Sequence, residues 1–152
     1  MVLFEASTLL NAVPEKVFEF HENPENIRRI APRSLKVLRV ECGKKAVEGE
    51  RFHLEISQFG ITLRWTGIWE KVERESLLVD VSEKSPFAHW RHSHIFQPCG
   101  GGCRMTDRVE CQLPGGWAGR MAGRLILPAF LSRMFQERHR ATRRLFSGPT
   151  AG

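Results

Sequence analysis

The first third of the chain changes from a strand pattern to a helical pattern. The segment 2–10 is short and apolar, which suits a β-strand, and Pro14 stands where proline favours a first helical turn. Pro24 breaks this helical pattern, and Pro32 ends a second short one. The pattern therefore predicts one strand followed by two short helices.

Between Leu35 and Gln112 apolar and polar residues mostly alternate, which is the period of strands that bury one face. Charged residues at 43–50, the pair Phe59-Gly60 and the triple glycine 100–102 separate the alternating runs. Short connections of this kind join neighbouring antiparallel strands. The segment predicts six more strands, so that the sheet has seven strands, mostly connected as a meander.

The C-terminal part is helical in pattern from Trp117 to Phe146, with Gly148 and Pro149 as stop signals. Pro128 interrupts the pattern, so we expect either a kink or a short lead-in helix followed by the main one. The face predicted to meet the sheet carries Phe130, Leu131, Met134, Phe135, Arg138, Ala141 and Leu145. Strands followed by a terminal helix indicate an α+β domain.

Length and composition are those of one ordinary globular domain spanning 1–152. The 152 residues are 41% hydrophobic and 26% charged, and no apolar run approaches the roughly 20 residues that cross a bilayer. Four cysteines without a secretory leader indicate free thiols in a reducing, cytoplasmic setting. Cys99 and Cys103 flank the glycine hairpin, and without a second pair at matching spacing we do not expect them to bind zinc.

The formal net charge of +6 is concentrated near the C-terminus. From Arg120 onward, Glu137 is the single acidic residue among Arg120, Arg124, Arg133, Arg138, Arg140, Arg143 and Arg144. A solvated helix face explains such a run better than contact with nucleic acid or anionic lipid does. An interaction module that uses this arginine-rich helix stays an alternative, and no nucleic-acid partner is predicted.

Half of the six histidines fall within six residues of one predicted strand, 87–97. Because side chains alternate between the faces of a strand, His92 and His94 share one face with Trp90 and Phe96, and His89 points to the other. The three imidazoles therefore divide into two and one.

A symmetric hairpin through the triple glycine predicts the partners of these residues on the last strand. Phe96 then lies opposite Met105, and His94 lies opposite Asp107. Directly opposed residues approach closely enough for an imidazole to meet a carboxylate. We predict a hydrogen bond between His94 and Asp107 on the inner face.

This pair has two interpretations. Asp107 could simply satisfy a buried His94, with Arg138 from the helix as a further partner, since buried polar groups need hydrogen bonds. It could instead orient His94 for ligand binding or for acid–base catalysis. His92, His94 and Asp107 could also share a metal ion, but two histidines on a strand are common without metal and His53 is predicted to point outward. No metal or cofactor is predicted.

Three motifs resemble those of the START and birch-pollen-allergen superfamily, whose members include polyketide cyclases, aromatases and lipid-transfer modules. Phe18 with the segment 24–27 resembles its helix opening, and the segment 86–96 resembles a "GPFxxWxHxHxF" strand of bacterial members, with Ser85 in place of glycine. The segments 105–109 and 113–115 resemble "mxDxVxYxxPxG", with Cys111 in place of the aromatic residue.

The resemblance implies a helix-grip fold, in which a strongly curved sheet wraps around the last helix and encloses a cavity. It implies a small hydrophobic ligand, lipid-like or aromatic, as the partner; a cyclase- or dehydratase-like enzyme using His94 with Asp107 is the alternative. The residues predicted to contact the ligand are Trp65, Trp69, Trp90, His92, His94, Phe96, Met105, Asp107, Met134 and Arg138.

Overall fold

The computed structural model of the protein describes residues 1–148, and Pro149 lies outside them. The elements follow the predicted order of one strand, two short helices, six strands and a long helix. They are β1 Val2–Leu10, α1 Pro14–His21, a 3₁₀ turn Pro24–Asn26 running into α2 Ile27–Ile30, β2 Leu35–Glu41, β3 Arg51–Gln58, β4 Ile61–Glu73, β5 Leu77–Lys84, β6 His89–Cys99, β7 Gly102–Gln112 and α3 Gly116–Phe146.

All seven strands form one antiparallel sheet in the order β1-β7-β6-β5-β4-β3-β2. The strands β2 to β7 are a meander, and β1 joins the sheet at the free edge of β7. Register shifts interrupt β2 near Val37 and β4 near Thr66 and Trp69, and irregularities of this kind bend a strand. The sheet is curved, and the predicted α+β helix-grip fold is confirmed.

Helix α3 is continuous through Pro128, so the alternative of a separate lead-in helix before the proline is wrong. Pro128 lacks the N–H that would bond to the carbonyl of Arg124, and both residues are exposed, so water can hydrate that carbonyl. The buried stripe of the helix also passes the proline without interruption. It consists of Gly119, Gly123, Leu127, Leu131, Phe135, His139 and Thr142.

Two apolar clusters hold these elements together. In one, Leu131 and Phe135 of α3 pack with Trp90 and Val109 of the sheet, and Phe135 stacks on Phe4 with 5.4 Å between ring centroids. In the other, Phe18 of α1 packs on the sheet; it contains Leu10, Val17, Phe18, Ala46, Phe52, Trp69, Leu78, Phe96, Cys103 and Met105. The sheet therefore has separate contacts with α1 and α3.

Candidate functional site

A cavity of about 260 Å³ lies among the inner face of the sheet, the segment from α1 to α2, and α3. Seven of the ten residues predicted to contact a ligand line it: Trp65, Trp69, Trp90, His92, His94, Met134 and Arg138. The other three do not. Phe96 and Met105 are packed in the core beneath α1, and Asp107 is fully buried behind the cavity wall.

Aromatic rings form much of this wall. The Trp65 and Trp90 rings meet edge to face with 5.2 Å between centroids, although their strands are separated by β5. Phe87 contacts both, at 4.8 Å from Trp90 and 6.0 Å from Trp65. Aromatic pairs in this arrangement are rigid and apolar, with their polar N–H groups confined to one edge. This part of the wall favours an apolar or aromatic ligand.

Asp107 is the centre of a buried polar group that we call the polar corner, formed by Asp80, His92, His94, Asp107 and His139. The predicted register is confirmed, since His94 lies opposite Asp107. The hydrogen bonds differ from the prediction: Nε2 of His92 donates to Oδ1 of Asp107 at 2.8 Å, and Nε2 of His139 donates to Oδ2 at 2.5 Å. A carboxylate only accepts, so both ring nitrogens carry hydrogen.

The predicted pairing of His94 with Asp107 is a close contact without a well-aligned hydrogen bond. Nδ1 of His94 lies 2.7 Å from Oδ1 of Asp107, but the oxygen lies away from the direction of the ring N–H, and Nδ1 has no aligned hydrogen bond within residues 1–148. His92 makes the directed bond to this oxygen. His94 keeps its ring in the cavity wall.

Burial and the surrounding charges set the protonation of the polar corner. Burial raises the pKa of Asp107, but the lowering by His94, His139 and His92 is larger. The pKa of Asp107 therefore lies well below its ordinary value. Burial lowers the pKa of His94 to about 4 and also holds the pKa of His92 below its ordinary value. At neutral pH an ionised Asp107 is therefore bonded by a neutral His92.

Asp80 on β5 is a functional candidate that sequence reasoning missed. It lies opposite His92, and its Oδ2 is 3.7 Å from Nδ1 of His92, too far for a hydrogen bond. Burial raises the pKa of Asp80 to about 6, against the lowering effects of His94 and Arg138. The residue lines the cavity. Its alternation with Leu78, which is fully buried, was the signal that could have placed it on the inner face.

His139 and His21 were missed as well, and helical spacing could have found both. His139 follows Leu131 and Phe135 at intervals of four on the buried stripe of α3. His21 follows Val17 at the same interval, and its Nδ1 donates to the carbonyl of Val17 at 2.8 Å. Its ring centroid lies 5.2 Å from that of His94, and Nε2 is buried without a hydrogen-bond partner in the described part of the chain.

Arg138 brings a positive charge to the cavity. Its guanidinium carbon lies 5.9 Å from the ring centroid of Phe135, and Nε is buried with no hydrogen-bond partner among the described residues. The predicted bond from Arg138 to Asp107 is absent among the described residues. His92 and His139 donate hydrogen bonds to the carboxylate instead. Buried groups left unpaired cost about 1–3 kcal/mol each, so the cavity holds polar groups that a ligand can satisfy.

Three side chains of the cavity wall offer donor atoms to a cation. Asp80, His92 and His94 each present one ligand atom, and these atoms all lie within 4.8 Å of one another. The set differs from the one weighed from the sequence, because Asp80 takes the place of Asp107. His53 points outward as predicted, exposed on β3 with Nδ1 3.0 Å from Oγ1 of Thr66.

Similar folds occur in several bacterial proteins of known structure. The chain is similar to a protein from Chromobacterium violaceum, at 16% identity over 95% of this chain and 96% of that one, with a TM-score of 0.73. It is similar to a protein from Thermus thermophilus, at 16% identity over 99% and 100%, with a TM-score of 0.72. An AHSA1-like protein from Aeromonas hydrophila is 15% identical over 95% and 94%, with a TM-score of 0.68. Identities this low show a shared fold only.

The sequence comparison with families agrees with the fold. No curated protein matches the chain in sequence. The family model described as polyketide cyclase/dehydrase and lipid transport matches residues 1–146, from β1 to the last residue of α3. With its helix-grip fold and a match of this extent, the chain belongs to the polyketide cyclase/dehydrase and lipid transport family, within the START superfamily.

Proposed function

We propose that the protein binds a small hydrophobic ligand, lipid-like or aromatic, in the cavity between its sheet and α3. The observation that carries the proposal is the wall itself, where tryptophans and aliphatic side chains surround a few polar groups. The family to which the chain belongs includes lipid transport and cyclase proteins, which agrees with this role. The volume of about 260 Å³ lies just below the roughly 300–1,000 Å³ typical of ligand pockets, so a compact ligand fits best.

The polar groups of the wall favour a ligand with one polar end. Arg138 offers an Nε donor and His21, near His94, an Nε2 acceptor, both without a hydrogen-bond partner among residues 1–148. A hydroxyl, carbonyl or carboxylate carried on an apolar body would pair with these groups while its body contacts Trp65 and Trp90. We infer an amphipathic ligand whose polar end faces the polar corner.

A 1:1 complex with the fluorescent probe 1-anilinonaphthalene-8-sulfonate, seen by fluorescence and by native mass spectrometry, tests this proposal. Leu54 lines the cavity and its neighbour His53 lies exposed on the other face of β3. Leu54→Trp should fill the cavity and weaken probe binding at least tenfold, whereas His53→Trp adds the same side chain outside and should leave binding unchanged. Equal binding by both variants, each with a wild-type unfolding curve, would exclude the cavity as the binding site.

A cyclase- or dehydratase-like activity is the second candidate, favoured by the hydrogen bond of 2.8 Å from His92 in the cavity wall to Asp107 behind it. A carboxylate in this position fixes the tautomer of the imidazole, which acid–base catalysis requires. The enzyme alternative therefore shifts from His94 to His92. A co-purified ligand that is converted on incubation with the wild type and not with His92→Gln would support catalysis; recovery of unchanged ligand from both would support binding alone.

Partners and location stay predictions. No helix in residues 1–148 is long and apolar enough to span a bilayer. Six arginines of α3 are exposed: Arg120, Arg124, Arg133, Arg140, Arg143 and Arg144. We propose a cytoplasmic protein without a nucleic-acid partner, for which these arginines are a solvated face. Tight binding of a DNA or RNA oligomer with a steep loss of affinity in salt would contradict this view.

A further inference from the structure

The donor atoms of Asp80, His92 and His94 are spaced as a metal site requires. Bonds of about 2.0–2.2 Å to nitrogen and oxygen place neighbouring ligand atoms of a tetrahedral ion roughly 3.3 Å apart. Oδ2 of Asp80 and Nδ1 of His92 are 3.7 Å apart, and the donor atoms of all three residues lie within 4.8 Å of one another. The distances between donor atoms would have to shorten by up to about 1.5 Å to close the site. The three residues lie on β5 and β6, which are paired strands.

Asp107 holds the ring of His92 in the orientation that metal binding needs. Nε2 of His92 donates to the buried carboxylate, which leaves the lone pair on Nδ1, the nitrogen that faces Asp80. A carboxylate behind a ligating histidine in this way fixes its tautomer and raises its affinity for the metal.

The charge balance of the cavity also favours a cation. Asp80 and Asp107 are two buried carboxylates, and Arg138 is the single guanidinium in the cavity wall within residues 1–148. Neither carboxylate has a hydrogen bond from Arg138 among the described residues, and Asp80 has no side-chain hydrogen bond there at all. A divalent ion would offset the charge of Asp80, and its open positions would face the cavity.

We propose that Asp80, His92 and His94 form a binding site for one divalent first-row transition-metal ion, with Zn²⁺ as the simplest occupant. The proposal replaces the sequence-based prediction of no metal, which rested on how common two histidines on one strand are without metal and on the outward direction of His53. Two imidazoles and one carboxylate with open positions are a ligand set of metals that bind or activate a further ligand. The site stands independently of the hydrophobic ligand.

Chelator-treated protein titrated with Co²⁺ and Zn²⁺ tests the site. We expect one ion per chain, visible d–d bands with Co²⁺, and no thiolate charge-transfer band, because no cysteine belongs to the site. Asp80→Asn and His94→Gln should each weaken the affinity at least tenfold, and His53→Gln, which removes an exposed histidine, should not change it. Absence of stoichiometric binding, a thiolate band, or equal affinity in all variants would overturn the proposal.

A measurement on the wild-type protein covers the case in which a variant fails to fold. Co²⁺ bound at Nδ1 of His92 leaves Nε2–H on Asp107, so the NMR spectrum should contain a hyperfine-shifted, slowly exchanging imidazole NH. A Co²⁺ complex without this resonance would overturn the assignment of His92. Probe binding in the cavity is measured without metal, so failure of the metal site and failure of the proposed ligand function give separate results.

Discussion

Asp107 is the residue on which the interior of the site depends. Its carboxylate is fully buried, charged, and bonded by His92 and His139 from two different elements, β6 and α3. A buried charge is tolerated when hydrogen bonds replace the water it loses, and breaking such an arrangement leaves donors unpaired in the core. The polar corner therefore links the helix to the sheet as well as lining one end of the cavity.

Asp107→Asn should destabilise the protein by about 3 kcal/mol, because the amide cannot accept from both imidazoles and places its own N–H₂ against one of them. Urea unfolding measures the loss. Glu110→Gln on the same strand is the control, since Glu110 is partly exposed and paired with Arg91 at 3.2 Å, and its loss should stay within about 1 kcal/mol. Equal losses in both variants would show that Asp107 has no special role.

Cys111 is predicted to be chemically inert in the native protein. It is fully buried, and burial raises its pKa to about 11. At pH 8 only on the order of one thiol in a thousand is then ionised, against about one in four for a free cysteine, and the thiolate is the reactive form.

Intact-mass measurement after treatment with iodoacetamide at pH 8 checks the predicted inertness of Cys111. Cys99, which is part-exposed at the glycine hairpin, should be alkylated, and Cys111 should be modified only after urea is added. Rapid modification of Cys111 in folded protein would mean that β7, which carries this residue, separates from its neighbour β1.

At the scale of elements, the position of α3 is set where the helix begins. Gly115 and Gly116 have φ values of 97° and 57°, which lets the chain turn sharply from β7 into the helix. Gly119 then passes so close to the preceding loop that a Cβ atom there would lie 1.9 Å from the carbonyl oxygen of Pro114. At Gly123, one turn later, a Cβ would meet the side chain of Leu127 at an ordinary 3.4 Å.

The two helical glycines give a matched pair of substitutions. Gly119→Ala should cost at least about 2 kcal/mol, because the backbone of the loop or the helix must move. Gly123→Ala should be neutral or stabilise by up to about 1 kcal/mol, because alanine is the better helix former and has room. Thermal unfolding compares them. Similar effects of both substitutions would show that the loop before α3 can move at little cost and does not set the position of the helix.

Sequence patterns predicted the elements well because each pattern reports on local chemistry. Alternation in β6 and β7 gave the inner face, and the short hairpin through 100–102 gave the register of His94 against Asp107, since a tight turn allows few pairings. On α3 the helical pattern pointed to Arg138 as the partner of Asp107, whereas the next residue, His139, makes the bond. Each residue turns a helix by about 100°, so the pattern alone could not decide whether Arg138 or His139 meets Asp107.

For the whole molecule, the cavity is the space that α3 leaves unfilled against the curved sheet. Apolar residues from β3, β4, β6, α2 and α3 all reach it, so a bound ligand would contact most of the elements at once. A ligand of this kind binds the folded chain and not the unfolded one. It must therefore stabilise the entire domain by mass action.

At a free concentration of one hundred times its Kd, 1-anilinonaphthalene-8-sulfonate should raise the free energy of unfolding by about 2.7 kcal/mol. The shift should appear in wild type and His53→Trp and vanish in Leu54→Trp. Urea unfolding followed by far-ultraviolet circular dichroism measures it without interference from the probe. A shift of the same size in Leu54→Trp would place the probe elsewhere on the molecule.

The sequence by itself determined the order of elements, the inner faces of the strands and the β6–β7 register, because these follow from local periodicity and a short turn. Only the tertiary structure brought Asp80 opposite His92, since the segment 85–88 joins β5 to β6 without fixing their register. The tertiary structure also decided that His92 and His139 donate hydrogen bonds to Asp107 and that Phe96 and Met105 lie in the core. Ring directions and distances of an ångström depend on packing between elements far apart in the chain, which no local pattern records.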